Sequence, residues 1–141
     1  MPNGIVPDEG LSRELYRILV NEDTAFQAWQ LLLFVNDYTP IGSTNLADLV
    51  EASFTGYSRR AIDRAGWGAP VVAGGVATAT HATPQTWTNG NVGDVTVYGC
   101  AYLDVTFNVL RFAERFDSAD IVAVNPGGTI TVLPVFTYRS Q

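Results

Sequence analysis

The stretch Asp94 to Phe116, DVTVYGCAYLDVTFNVLRFAERF, constrains the fold more than any other part of the chain. Val95, Val97, Gly99, Ala101 and Leu103 alternate with Thr96, Tyr98, Cys100, Tyr102 and Asp104, and a second run rich in apolar and aromatic residues spans Val109 to Phe116. Alternation at period two is the signature of a strand, so the stretch predicts an antiparallel hairpin turning near Val105 to Asn108. Large side chains on both strands supply a half-buried surface for other strands. No catalytic motif lies within it.

The flanking sequence extends the same pattern. Ala28 to Asn36, AWQLLLFVN, is too continuously apolar to face water on either side and predicts a buried strand, with a short helix as the alternative. Phe54 to Trp67 and Val71 to Thr83 read as strands, the second with Gly74-Gly75 as a bulge or bend. Ile121 to Val124 is a short strand, Asn125 to Gly128 a tight turn, and Thr129 to Tyr138 a closing strand in which Pro134 requires an edge position or a bulge. Two short helices are expected early: Leu11 to Asn21, and one or two turns within Asn45 to Ser53. The sum is about seven or eight strands without crossover helices, which predicts a mainly β domain, an antiparallel β-sandwich or barrel (jelly-roll-like) with one or two short helices in the N-terminal half.

At 141 residues the chain suits one domain, read as an extended arm over 1–7 and a single β-rich domain over 8–141. The arm, with two prolines and a glycine, is expected to become ordered only on a partner. Net charge is −6 and every basic residue is arginine, with Arg59, Arg60 and Arg64 the only cluster, so nucleic-acid binding through a basic patch is not expected. The opening MPNGIVPDEG does not read as a signal peptide, and no apolar run approaches a membrane span.

The lone Cys100 excludes an intrachain disulfide and reads as an inert packed thiol. The lone His81 reads as a surface or loop-adjacent strand residue, and no serine sits in a Gly-x-Ser-x-Gly frame. Glu51, Asp63, Asp104 and Glu114 have no spacing that singles out a glycosidase pair. Asp117 and Asp120 lack the glycine and alternating ligands of a calcium loop and read as a turn. No catalytic residue, cofactor or metal is therefore expected. Trp67 and Trp87 stand at junctions where a tryptophan either anchors an interface or caps the end of a sandwich core. Together with Pro2, Asn3 and Ile5 of the arm, and Tyr57 and Arg59, they form the candidate contact set.

Several segments resemble, in order, those of small tailed-phage virion proteins. These are Leu33-Phe34-Val35-Asn36-Asp37 with Thr39-Pro40, Glu51 to Tyr57 (EASFTGY), Gly66-Trp67, Gln85-Thr86-Trp87, Val97 to Tyr102 (VYGCAY) and Leu110 to Phe116 (LRFAERF). Cys100-Ala101 and Arg111-Phe112 depart from the aromatics usual at those places. The resemblance implies a structural protein of the particle, most like a capsid decoration or cement protein. It would lie on the capsid surface after synthesis in the host cytoplasm. Its implied partners are the major capsid protein and further copies of itself, as a dimer or trimer. A tail, head-to-tail or receptor-binding component and a minor cell-wall hydrolase are the other classes open at this point.

Overall fold

The computed structural model describes residues 4–5, 7, 9–10, 29–63 and 66–139. In chain order its strands are β1 (Trp29–Phe34), β2 (Arg60–Ile62), β3 (Val71–Ala73), β4 (Val76–Thr80), β5 (Gln85–Thr88) and β6 (Val95–Thr96). They continue with β7 (Gly99–Asp104), β8 (Val109–Arg115), β9 (Ala123–Val124), β10 (Thr129–Val132) and β11 (Val135–Arg139). The protein is mainly β, with several antiparallel sheets and no closed barrel among the described residues. The early helix expected over Leu11 to Asn21 lies outside those residues. The second expected helix is a single 3-10 turn, Leu46–Asp48, capped by Asn45 and Asp48 reciprocally. Among the described residues no helix is long and apolar enough to cross a membrane.

The expected hairpin forms the heart of a four-stranded sheet of order β2-β1-β7-β8. Its ladder pairs Tyr102 with Phe112 but Leu103 with Leu110, so Arg111 is an extra, bulged residue. The bulge decides which face each side chain takes. Without it Leu110 and Phe112, two apart, would share a face; with it Phe112 joins one apolar cluster and Leu110 the other. Arg111 is left within the protein, where its Nη2 and Nε donate to Asp104 Oδ2 at 2.8 and 3.2 Å and its guanidinium lies 5.7 Å from the Trp29 ring.

Both faces of this sheet are covered, which is why β1 reads as an unbroken apolar run. Trp29, Leu31, Leu33, Cys100, Tyr102 and Phe112 face a cluster completed by Trp87 of β5 and by Ile130 and Val132 of β10. Leu32, Phe34, Ala101, Leu103, Leu110 and Ala113 face the other way, with Leu49, Leu46, Tyr38 and Tyr98 packed on them.

Several strands differ from expectation. Gly74 and Gly75 both have positive φ, 57° and 76°, and make a two-residue turn between β3 and β4 rather than a bend in one long strand. Such a turn requires left-handed backbone at both positions, and a Gly-Gly pair adopts it without strain. The closing strand is interrupted at Leu133-Pro134: β10 pairs with β5, while β11 pairs with β4 in the order β11-β4-β3. Pro134 has no N–H to continue a ladder, and the chain changes sheets there. Of the expected strand from Phe54 to Trp67, β2 is the one strand among the described residues, and upstream of it Gly56 at φ 91° turns the chain and Tyr57 N–H bonds back to Phe54 O.

Of the arm, residues 4, 5 and 7 are among those described. Ile5 exchanges both backbone hydrogen bonds with Ala113, at 2.9 and 3.0 Å, so it lies along the outer edge of β8. Gly4 rests on the Phe112 ring, where a Cβ would come within 1.6 Å of the ring carbon Cζ. Glu9 Oε1 accepts from Leu110 N–H at 2.7 Å. An open edge strand invites pairing, and Ile5 makes one such pairing at β8.

Candidate functional site

The expected contact residues are mostly engaged inside the protein. Pro2 and Asn3 lie outside the described residues, and Ile5 is the residue paired to β8. Tyr57 and Arg59 converge on Glu51: Tyr57 OH donates to Oε1 at 2.8 Å, and Arg59 donates from Nε to Oε1 at 2.8 Å and from Nη2 to Oε2 at 2.7 Å. The Arg59 hydrogen bonds hold the Glu51 carboxyl below its ordinary value, and burial pushes the Tyr57 hydroxyl up. Tyr57 OH also accepts from Leu33 N–H at 3.2 Å, so the trio ties the Glu51–Arg59 loop to β1.

Both tryptophans belong to the core. Trp87 is 0% exposed and donates from Nε1 to Ser58 O at 2.7 Å. The alternation Thr86-Trp87-Thr88 in β5 puts it inward, since its neighbours point to solvent. Trp67 is half-buried, edge-on to Tyr102 and to His81, with centroid distances of 6.2 and 5.4 Å. His81 is correspondingly buried rather than on the surface, because its backbone bridges Trp67 and its ring fills the space beside Gly66.

The acids separate clearly in space. Glu51 serves Arg59 and Tyr57. Asp63 is largely exposed, 3.7 Å from His81 Nε2. Asp104 is paired with Arg111 and accepts Thr106 and Phe107 N–H on Oδ1, which closes the hairpin turn. Glu114 is different. It follows Phe112 by two residues in β8 and so points to the inner face of the sheet, where an apolar residue is expected.

There it lines a cleft of about 590 Å³, within the usual range for small-ligand sites. The floor is Cys100, Tyr102, Ile130 and Val132, and Asp117 and Asp120 stand with Glu114 as its acids. Glu114 is 8% exposed and has no hydrogen bond or ion pair among the described residues. Burial pushes its carboxyl up to about 7, against the lowering effect of the chain's positive N-terminal amino group and with a smaller raising effect from the Asp117 charge, so it is about half protonated at neutrality. Burial likewise raises the Cys100 thiol and the Tyr102 hydroxyl, which stay protonated and inert. Among the described residues there is no group of three or more His, Cys, Asp or Glu side chains disposed to hold a metal ion.

A second surface stands apart from the cleft. Val71 and Val72 of β3 are 68% and 71% exposed. Successive strand residues point to opposite faces, so both faces of this edge strand are in solvent and the β3–β4 hairpin projects beyond the core. Residues 65–93 contain no Asp, Glu, Lys or Arg at all. That charge-free run was the legible signal for this surface. No protein-family model matches the chain, and no curated protein is significantly similar to it.

Proposed function

We propose that this protein is a non-enzymatic structural component of a tailed-phage virion that decorates and stabilises the capsid shell by binding the major capsid protein at subunit junctions. In this reading its fold is a jelly-roll-like sandwich, with the four-stranded sheet as one layer and the smaller sheets as the other. The observation that carries the reading is the β3 edge. A projecting, apolar edge strand without a single charged gatekeeper is a hazard for a free protein and a docking strand for an assembled one. A strand of the partner, the capsid protein or a further copy, adds to β3 through backbone hydrogen bonds, while Val71 and Val72 fill its pockets. The ordered series of motifs shared with small virion proteins supplies the setting. Contacts made only in the assembled shell stabilise that shell by mass action. The receptor-binding alternative called for an exposed aromatic such as Trp87, and that side chain is fully buried.

The test is the copy number per purified virion, by quantitative mass spectrometry against the major capsid protein, combined with rebinding of Val72→Lys to particles. A ratio near unity or a simple fraction of it, with binding lost in the lysine variant, is expected. A handful of copies places the protein in the tail or connector instead, and undiminished binding of a folded Val72→Lys removes β3 as the contact.

A further inference from the structure

We propose that β3 pairs with the β3 of a second copy of this chain, antiparallel about a two-fold axis at Val72, so that two three-stranded sheets join into one. This rests on the reading above that β3 is the docking strand, and it names the partner.

The first argument is the pattern of backbone groups along the edge. The two-residue turn at Gly74-Gly75 makes Ala73 and Val76 the hydrogen-bonded pair that closes the hairpin, with Val71 and Thr78 the next such pair. The N–H and C=O of one peptide unit point opposite ways. Because Val71 and Ala73 turn theirs toward β4, Val72 N–H and Val72 O point outward, as do Pro70 O before them and Gly74 N–H after them. Pro70 has no N–H to add. Along the chain the edge therefore runs acceptor, donor, acceptor, donor. Turned about Val72, that series is its own complement. Val72 N–H meets the copy's Val72 O, Gly74 N–H meets the copy's Pro70 O, and symmetry repeats both contacts.

The second argument is side-chain fit. Val72 stands across from Val72 on one face, and Val71 across from the copy's Ala73 on the other, so the exposed valines of both faces are covered together. A Cβ built on Gly74 would meet nothing within 4 Å, so the hairpin's own atoms leave that end of the edge open.

The third is charge. At a net charge of −6, two copies repel wherever their acids approach, whereas residues 65–93, which include β3 and β4, hold no charged side chain. A partner of opposite charge would gain from the acidic surface elsewhere; a like-charged copy meets least opposition here. The contact is short. Three strand residues from each copy bury far less than the roughly 1,600 Å² of a standard interface, so pairing is weak in dilute solution and strengthens where copies are held close together.

The test uses the intact protein, half of it isotope-labelled for NMR and half not, over roughly a fiftyfold range of concentration suited to a weak contact. The Val72 and Gly74 amide signals are expected to move as concentration rises. A contact between Val71 Hα of one copy and Ala73 Hα of the other should then appear, as the antiparallel register requires. Val72→Pro deletes the outward N–H without touching the β4 ladder, a place where an edge proline is tolerated, and should abolish association. Val72→Thr keeps the N–H and the branched shape and should retain it. Signals independent of concentration in the unmodified protein, a different set of cross-copy contacts, or undiminished association of a folded Val72→Pro would overturn the proposal. No virion takes part. Copies that fail to pair while Val72→Lys is lost from particles leave β3 docked on the capsid protein, and the reading above stands; copies that pair although virions lack the protein leave the pairing standing alone.

Discussion

Replacing Arg111 by methionine removes the ion pair at the hairpin's bulge, together with the guanidinium's contacts to Gly10 O and the Trp29 ring. Arg111 and Asp104 are both essentially inaccessible, and the two Arg111 donors saturate Asp104 Oδ2 while Thr106 and Phe107 N–H occupy Oδ1. Methionine keeps the stem's volume but leaves Oδ2 charged, buried and stripped of those donors. Breaking a buried pair from one side costs about 3–5 kcal/mol, most of it desolvation of the abandoned charge. Against a typical total of about 5–15 kcal/mol this is a severe loss, on the order of 2 M in the urea midpoint. Urea unfolding followed by tryptophan fluorescence reads it directly, with the slope checked for constancy. The double variant Asp104→Asn/Arg111→Met removes the orphaned charge and keeps an acceptor for the turn, so it should be more stable than Arg111→Met alone by about 1–3 kcal/mol. A single-variant cost below about 1 kcal/mol, or a double variant no better than the single, would refute the claim that Asp104 is desolvated and held by Arg111.

Two further outcomes are expected. Glu114 binds its proton more tightly folded than unfolded, so its contribution favours the native state in acid and is lost as pH rises from the ordinary carboxyl value to about 7; at about 1.4 kcal/mol per unit the penalty above neutrality is on the order of 3 kcal/mol. Glu114→Gln should therefore gain stability at roughly pH 8 and little at roughly pH 4, and urea titrations showing equal gains at both would contradict the burial argument. Deleting residues 1–7 removes the two Ile5–Ala113 hydrogen bonds and uncovers Phe112, at a cost of about 1–3 kcal/mol; unchanged stability with unchanged exchange of the Ala113 amide would show that the segment does not hold the edge.

What could be read in the sequence depended on how local its cause is. The β1 run and the β7–β8 turn follow from period and composition within a few residues, and both stand where expected. The bulge at Arg111 could not be read, because it depends on a partner, Asp104, across the hairpin. Gly74-Gly75 fitted a bend as well as a turn, since Val-Ala-Thr alternation persists on both sides; the two-residue glycine pair was the better signal. Trp87 carried its own inward signal in the flanking threonines, but its loop-like surroundings of Pro84 and Asn89-Gly90 suggested exposure. Glu114 was one acid among fourteen until the sheet fixed Phe112 beside it on the inner face.

The strand order also sets a schedule for synthesis. β1 is made first among the described strands, but its central neighbour β7 lies beyond the whole charge-free run of residues 65–93, and β4 and β5 pair with β11 and β10, the last strands to be made. Within that run the β3–β4 hairpin, closed by its two glycines, can form early from neighbouring residues. On the ribosome the least charged part of the protein therefore emerges before any strand that will cover it, at a rate of about 5–20 residues per second. Long-range pairing is slow, and sticky segments left waiting are where misassembly starts. Recovery of soluble protein should accordingly depend on how fast the C-terminal quarter follows, more than on the final stability of the fold.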